Sequence, residues 1–129
     1  SLVSQSYIPV ICSVAIGHDG ASYNVNADHV AGHIAAAMGA SKLIMLSDVE
    51  GLYRDFSDKT SLIHEMDTDE AHHLIVTGVA DKGMIPKLEA CITALEGGVE
   101  RAHLIDGRQP HSLLIEIFTN SGIGTMVRR

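Results

Sequence analysis

Basic residues are scarce in this chain: nine Lys and Arg stand against sixteen Asp and Glu, a formal charge of −7 at pH 7. A nucleic-acid binder or a membrane-surface binder needs a basic face, and this balance argues against both. An anionic substrate is not excluded, because a site needs only a few local donors. Apolar runs stay well short of the ~20 residues of a membrane span. No charged segment followed by an apolar core opens the chain, so no export signal is read. There are only two cysteines, Cys12 and Cys91, in no metal or redox spacing. Both lie in apolar runs, which predicts buried thiols in a reducing cytoplasm. Neither G-x-x-x-x-G-K-S/T nor a helix-opening G-x-G-x-x-G occurs, which disfavours a P-loop NTPase and a dinucleotide-binding enzyme. Internal repeats and low-complexity tracts are missing too. So is an initiator Met, and the first residues read as the tail of a helix entering a strand, as in a fragment.

What is there describes one globular domain: 129 residues, 46% hydrophobic and 19% charged, enough for a real core. Ser1 to Ser6 reads as a short helical remnant, and Tyr7 to Ile16 as a strand buried on both faces. Gly17 to Gly20 is a turn, and Ala21 to Val25 the returning strand. A small-residue helix follows from Ala27 to Met38, stopped by Gly39. Lys42 to Ser47 is a second buried strand, and residues 54 to 62 are turn-like. Helices are expected over Asp67 to Thr77 and Met84 to Glu96. A third strand follows at Arg101 to Ile105, then a helix from Pro110 to Phe118 with the proline in its first turn. A last strand ends near Val127. The alternation implies an α/β fold: a three-layer, open, mainly parallel sheet with helices on both faces. Ligands bind such sheets beyond the carboxyl ends of the strands.

The polar clusters fall at those ends. Asn24, Asn26 and Asp28 crowd a strand-to-helix corner. One of them serves as a helix cap; three together suit a polar small-molecule site, where the helix N-terminus adds donors and partial positive charge. Ser47-Asp48-Val49-Glu50-Gly51 follows a buried strand; Asp48 could accept from a ribose or base, and Gly51 permits close approach or positive φ. The competing reading is an ordinary turn. Lys87 falls in the first turn of its helix, where cations are disfavoured; it would be useful facing a phosphate, and a solvated lysine is the plain alternative. His29 and His33 have the i,i+4 spacing of metal ligands, but Val30 replaces the Glu of H-E-x-x-H and no third ligand is evident. No protein-bound metal site is expected. His72 and His73 point different ways on a helix, and His103 and His111 take surface or packing roles. Cys91 reads as a core thiol, not a nucleophile.

Several stretches fit one family in order. They are Tyr7-Ile-Pro-Val-Ile, Tyr23-Asn-Val-Asn-Ala-Asp28, Leu43-Ile-Met-Leu-Ser-Asp-Val-Glu-Gly51, Gly83-Met-Ile-Pro-Lys87, His103-Leu-Ile-Asp-Gly-Arg108 and Phe118-Thr-Asn-Ser-Gly-Ile-Gly-Thr-Met126. With them the chain resembles the C-terminal, nucleotide-binding half of the acetylglutamate kinases, in the amino acid kinase family. The resemblance implies ATP-dependent phosphorylation of the γ-carboxylate of N-acetyl-L-glutamate, with Mg²⁺ arriving on the nucleotide. Residues 1–23 would be the remnant of an N-terminal substrate domain, and 24–129 the nucleotide-binding domain. Carried onto matching positions, Asn24 binds substrate with Asn26 beside it, Asp28 organises catalytic lysines, and Lys87 stabilises the transferring phosphoryl group. Ser47, Asp48, Val49, Glu50, Gly51, Leu52 and Tyr53, with Val79, Ala80, Asp81, Gly83 and Met84, resemble the adenine and ribose loops. Glu116, Gly122 and Gly124 resemble the L-arginine effector site of the hexameric branch, implying a homo-oligomer at full length.

The chain also departs from the family pattern. A second catalytic lysine in a glycine-rich loop, a further Gly-Gly loop and a substrate-gripping arginine belong to the half that is missing, so the chain is expected to be catalytically silent alone. Asp81-Lys82 stands where Lys-Gly or Gly-Gly is common. Two other readings stay open: a non-catalytic arginine-sensing module of the same fold, and a sister kinase with another carboxylate, carbamate or nucleotide as substrate.

Overall fold

The computed structural model describes residues 2–119 and 122–129; the expectations placed on Ser1, Asn120 and Ser121 lie outside the described residues. A four-stranded sheet organises the molecule, in the order β3 (Lys42–Ser47), β5 (Arg101–Asp106), β6 (Thr125–Arg128), β4 (Glu65–Asp67). β3 runs parallel to β5 and β4 parallel to β6, while β6 is antiparallel to β5. A separate antiparallel hairpin joins β1 (Val14–Ile16) to β2 (Ser22–Asn24).

Helices cover both faces, and β5 shows it by alternation. Ala102 and Leu104 join the core with Leu88, Cys91 and Leu95 of helix α3 (Ile85–Glu96). His103, on the opposite face, meets Glu116 of helix α4 (Ser112–Phe118). Helix α1 (Ala27–Ala37) begins at Asn26, whose side chain accepts the His29 N–H, and helix α2 (Thr68–Val76) begins at Asp67, which accepts the Glu70 N–H. α1 and α3 lie side by side and run the same way: Asp28 meets Lys87 at one end, and Ala36 faces Gly97 at the other.

Several local expectations are corrected. The run Tyr7 to Ile16 is not a doubly buried strand: Ile8 is 91% and Val10 95% exposed, and only Val14–Ile16 forms a strand. The four-stranded sheet ends at β3, so among the described residues no layer covers that run. Cys12 is exposed with it. β3 is an edge strand that buries Leu43 and Met45 and leaves Leu46 out. β4 was not foreseen, because three residues with acidic ends carry no strand pattern; its pairing with β6 makes it one. Pro110 precedes α4 instead of lying in its first turn, and His111 enters the helix at a φ of +62°.

Candidate functional site

The first turn of α3 and the carboxyl end of β3 enclose a cleft of about 610 Å³, lined by Ser47, Asp48, Val49, Asp81, Lys82, Gly83, Met84 and Lys87. The loop before α3 is shaped by Asp81, whose Oδ1 accepts the N–H of Gly83 at 2.9 Å and of Met84 at 2.8 Å. Asp81 therefore does the work of an Asx turn, and Pro86 starts the helix without needing its missing N–H. Lys87 follows one turn into the cleft wall. Its Nζ donates to Asp28 Oδ2 at 2.9 Å, and the two side chains are only 20% and 23% exposed. The pair ties the N-terminal ends of two helices together, so both positive dipole ends and two lysines, Lys82 and Lys87, gather at one corner. Beneath it Cys91 is fully buried, and burial followed by the nearby Asp28 charge pushes its thiol up to about 12.

The other sequence candidates divide. Asn26 has its side-chain oxygen on the His29 N–H at 3.1 Å, while Asn24 is exposed at the end of β2. Gly51, Leu52, Tyr53 and Ala80 are buried in the fold and do not line the cleft. Gly51 supplies close approach, not positive φ: a Cβ there would lie 2.6 Å from Thr125 Oγ1. Glu50 accepts the Tyr53 hydroxyl, which raises the phenol to about 12 and lowers the carboxyl; Lys59, 3.6 Å away, lowers Glu50 further. Val79 is exposed outside the cleft. Lys82 was noted in the sequence only as a departure; its signal as a site residue was a second cation five residues before Lys87.

A second polar pocket of about 350 Å³ lies at the opposite, amino end of β3 and β5, lined by Lys42, His64, Arg101, His103, Glu116, Gly122 and Gly124 among others. Glu116 Oε2 accepts the N–H of Ile123 at 2.7 Å and of Gly124 at 3.2 Å. Burial pushes its carboxyl up, but those two donors and the His103 side chain together prevail and hold it below the usual carboxylate range. Among the described residues His103 Nε2 has no hydrogen-bond partner. His103 and Lys42 were not among the residues picked for this site, since a histidine inside an apolar strand reads as packing. At the carboxyl end of β5, Arg108 Nε and Nη2 each donate to Asp106 at 2.9 Å, lowering that carboxyl, and the Gly107 N–H ties the turn to Ser47 O at 2.8 Å.

Residues 1–106 match the family described as the amino acid kinase family. The chain belongs to the amino acid kinase family. The acetylglutamate kinase of Pelotomaculum thermopropionicum is 56% identical over 129 residues, all of this chain but 44% of that protein. That of Synechococcus sp. strain RCC307 is 60% identical over 126 residues, covering 98% of this chain and 43% of the relative. The chain thus spans under half the length of these amino acid kinase relatives. Among solved structures, N-acetylglutamate synthase from Neisseria gonorrhoeae, complexed with coenzyme A and L-arginine, superposes with a TM-score of 0.86 at 26% identity, covering 98% of this chain and 29% of that one. The T. acidophilum isopentenyl phosphate kinase product complex superposes at 0.71 with 21% identity, covering 98% of this chain and 50% of the other, and shares the amino acid kinase fold. No helix of the described residues is long and apolar enough to cross a membrane.

Proposed function

We propose that this chain supplies the ATP-binding half of a kinase that phosphorylates the γ-carboxylate of N-acetyl-L-glutamate for arginine synthesis, in the cytoplasm. The observation that carries this reading is Lys87, which lines the cleft while Asp28 holds its ammonium at 2.9 Å. The names of the relatives support the substrate. Residues 1–23, which hold most of the hairpin that stays outside the four-stranded sheet, would pack with a substrate domain, and 24–129 would form the nucleotide domain.

A carboxylate acceptor is already a nucleophile at neutral pH, so the reaction needs no general base. It needs two anions aligned and the spreading phosphoryl charge stabilised. Lys87 and the N-termini of α1 and α3 supply positive potential that Asp28 keeps in place. Asn24 and Asn26 stand at the same helix start, where they would face the acetylglutamate. Among the described residues no three His, Cys, Asp or Glu side chains are arranged to hold a metal ion. A Mg²⁺ would rest on the nucleotide phosphates and supply charge neutralisation, with Asp48, a cleft carboxylate that accepts the Ser47 hydroxyl at 3.4 Å, as the residue that would help hold it. The amino-end pocket offers Glu116 to a cation and Lys42 or Arg101 to a carboxylate, which suits free L-arginine as an inhibitor. A non-catalytic arginine sensor would use that pocket alone, but would have no use for Lys87 and Asp28. The whole enzyme is expected to be a homo-oligomer.

Calorimetric titration with MgADP tests the reading. Saturable binding is expected, with no acetylglutamate-dependent ADP release by this chain alone. Absence of binding by the folded chain would overturn the assignment of the cleft. In the complete enzyme, Lys87→Ala is expected to cost kcat far more than nucleotide affinity; equal losses in both would refute its role.

A further inference from the structure

We infer that Gly32 is a positioning residue for the Asp28–Lys87 pair: its missing side chain sets α1 and α3 close enough for the carboxylate to reach the ammonium. The inference rests on the reading of that pair as part of the phosphoryl-transfer site. Gly32 is buried, one turn after Asp28 on the same face of α1. Opposite it is Ala90, three residues after Lys87 on α3 and also buried. A Cβ at Gly32 would lie 2.6 Å from the Ala90 carbonyl oxygen, 2.9 Å from its Cα and 3.1 Å from its carbonyl carbon. All three obstacles are backbone, so no rotamer change relieves them. The helices would have to part by something on the order of half an ångström or more. That parting falls one turn from a 2.9 Å ion pair whose carboxylate reaches by a single methylene, so it cannot follow, and only the four-methylene stem of Lys87, held in the cleft wall, could re-extend to keep the contact.

The far end of the same helix pair supplies the control. Gly97 also allows close approach, but a Cβ there would meet the Ala36 side chain at 2.3 Å, two turns beyond Asp28. Crowding at Gly97 splays the helices away from the site; crowding at Gly32 splays them beside it. The exposed His29–Glu89 contact, 3.1 Å long, also bridges α1 and α3 but shares no group with the pair.

A double-mutant cycle reads the pair directly. Urea unfolding of this chain is measured for Asp28→Asn, Lys87→Met and the double variant, each with Gly32, Gly32→Ala or Gly97→Ala. With Gly32 the two side chains should be coupled about fivefold or more in the unfolding equilibrium constant. The coupling should fall below about twofold with Gly32→Ala and persist with Gly97→Ala, although both substitutions lower overall stability. Asp28→Glu, one methylene longer, should restore it in the Gly32→Ala chain. Coupling that survives Gly32→Ala, or that Gly97→Ala abolishes equally, overturns the inference. If Gly32→Ala does not fold in buffer, the cycle is run in trimethylamine oxide, which favours the compact state; failure to fold there, with Gly97→Ala folded, makes Gly32 a general packing residue and overturns the positioning role. MgADP titration of the parent chain separates the two claims: coupling lost with Gly32→Ala, together with no MgADP binding by the folded parent, leaves the positioning role standing and removes the phosphoryl-transfer reading of the cleft.

Discussion

Thr125 Oγ1 accepts the backbone N–H of Leu52 at 2.9 Å, in a spot where both residues are buried. The bond fastens the loop after β3 to the start of β6, two strands away across the sheet. A Cβ on Gly51 would come within 2.6 Å of that same hydroxyl and 3.2 Å of the Thr125 amide nitrogen. Two substitutions should therefore fail at one point. Thr125→Val leaves a buried N–H without an acceptor and should cost about 1–3 kcal/mol. Gly51→Ala should cost a similar amount by overpacking, about 1–3 kcal/mol. Because they break one contact, the double variant should lose less than the sum. Urea denaturation of the three chains checks it; strict additivity would show that the loop is not held here.

Glu116 is the acid-sensitive joint of the amino-end pocket. Its carboxyl lies below the ordinary range because the Ile123 and Gly124 N–H groups and His103 outweigh its burial. A carboxylate depressed in the folded state adds stability above its unfolded pKa, near 4.3, and loses it as pH falls through the lower, folded value. Glu116→Gln should cost about 1–3 kcal/mol at pH 7, by weakening charged hydrogen bonds to two backbone donors. Below pH ~4 the gap between variant and parent should narrow. Unfolding free energies across a pH series read the convergence directly; parallel curves would mean that the charge of Glu116 does not hold the Gly122–Gly124 turn.

Much of this was legible in the sequence because it is local. A cap among Asn24, Asn26 and Asp28 and the start of α2 near Asp67 follow from side chains that satisfy neighbouring N–H groups, and the stop at Gly39 from its positive φ; the structure settles the first cap on Asn26. The corner holding Asp28 and the loop at Ser47 were readable from where strands end. What was not readable is what non-local packing decides. Ile8 and Val10 look like core residues and are exposed, since burial depends on a covering layer and not on hydropathy. Tyr53 and Leu52 follow a polar strand end and look available, yet the fold buries both. His103 gave no hint of its carboxylate partner, because Glu116 comes from another element thirteen residues on.

Tyr53 should be the last tyrosine to ionise. Its hydroxyl donates to Glu50, and that bond, with burial, raises the phenol to about 12. A raised phenol favours the folded state below its unfolded pKa near 10, and the benefit disappears as pH rises through 12. Tyr23 is also raised, through its bond to Asp19. Ultraviolet titration near 295 nm on Tyr53→Phe should remove the most alkaline step, and Glu50→Gln should move that step to lower pH. Three tyrosines titrating together in the folded parent would contradict the buried pairing.

The two thiols should differ sharply in reactivity. Cys12 lies exposed in the run before β1, whereas Cys91 is fully buried under the Asp28–Lys87 pair. Burial and the neighbouring Asp28 charge raise the Cys91 thiol to about 12, so at pH 8 almost none of it is the reactive thiolate. A disulfide reagent such as DTNB should therefore label one thiol promptly in the native chain and the second only at the rate of unfolding or local opening. Cys12→Ser should abolish the prompt phase and leave the slow one. Separation of α1 from α3 uncovers Cys91, so Gly32→Ala should speed its labelling much more than Gly97→Ala does, when the two are compared at equal global stability. Equal acceleration would mean that Cys91 is reached only through global unfolding, and that the corner holding Asp28 and Lys87 does not open by itself.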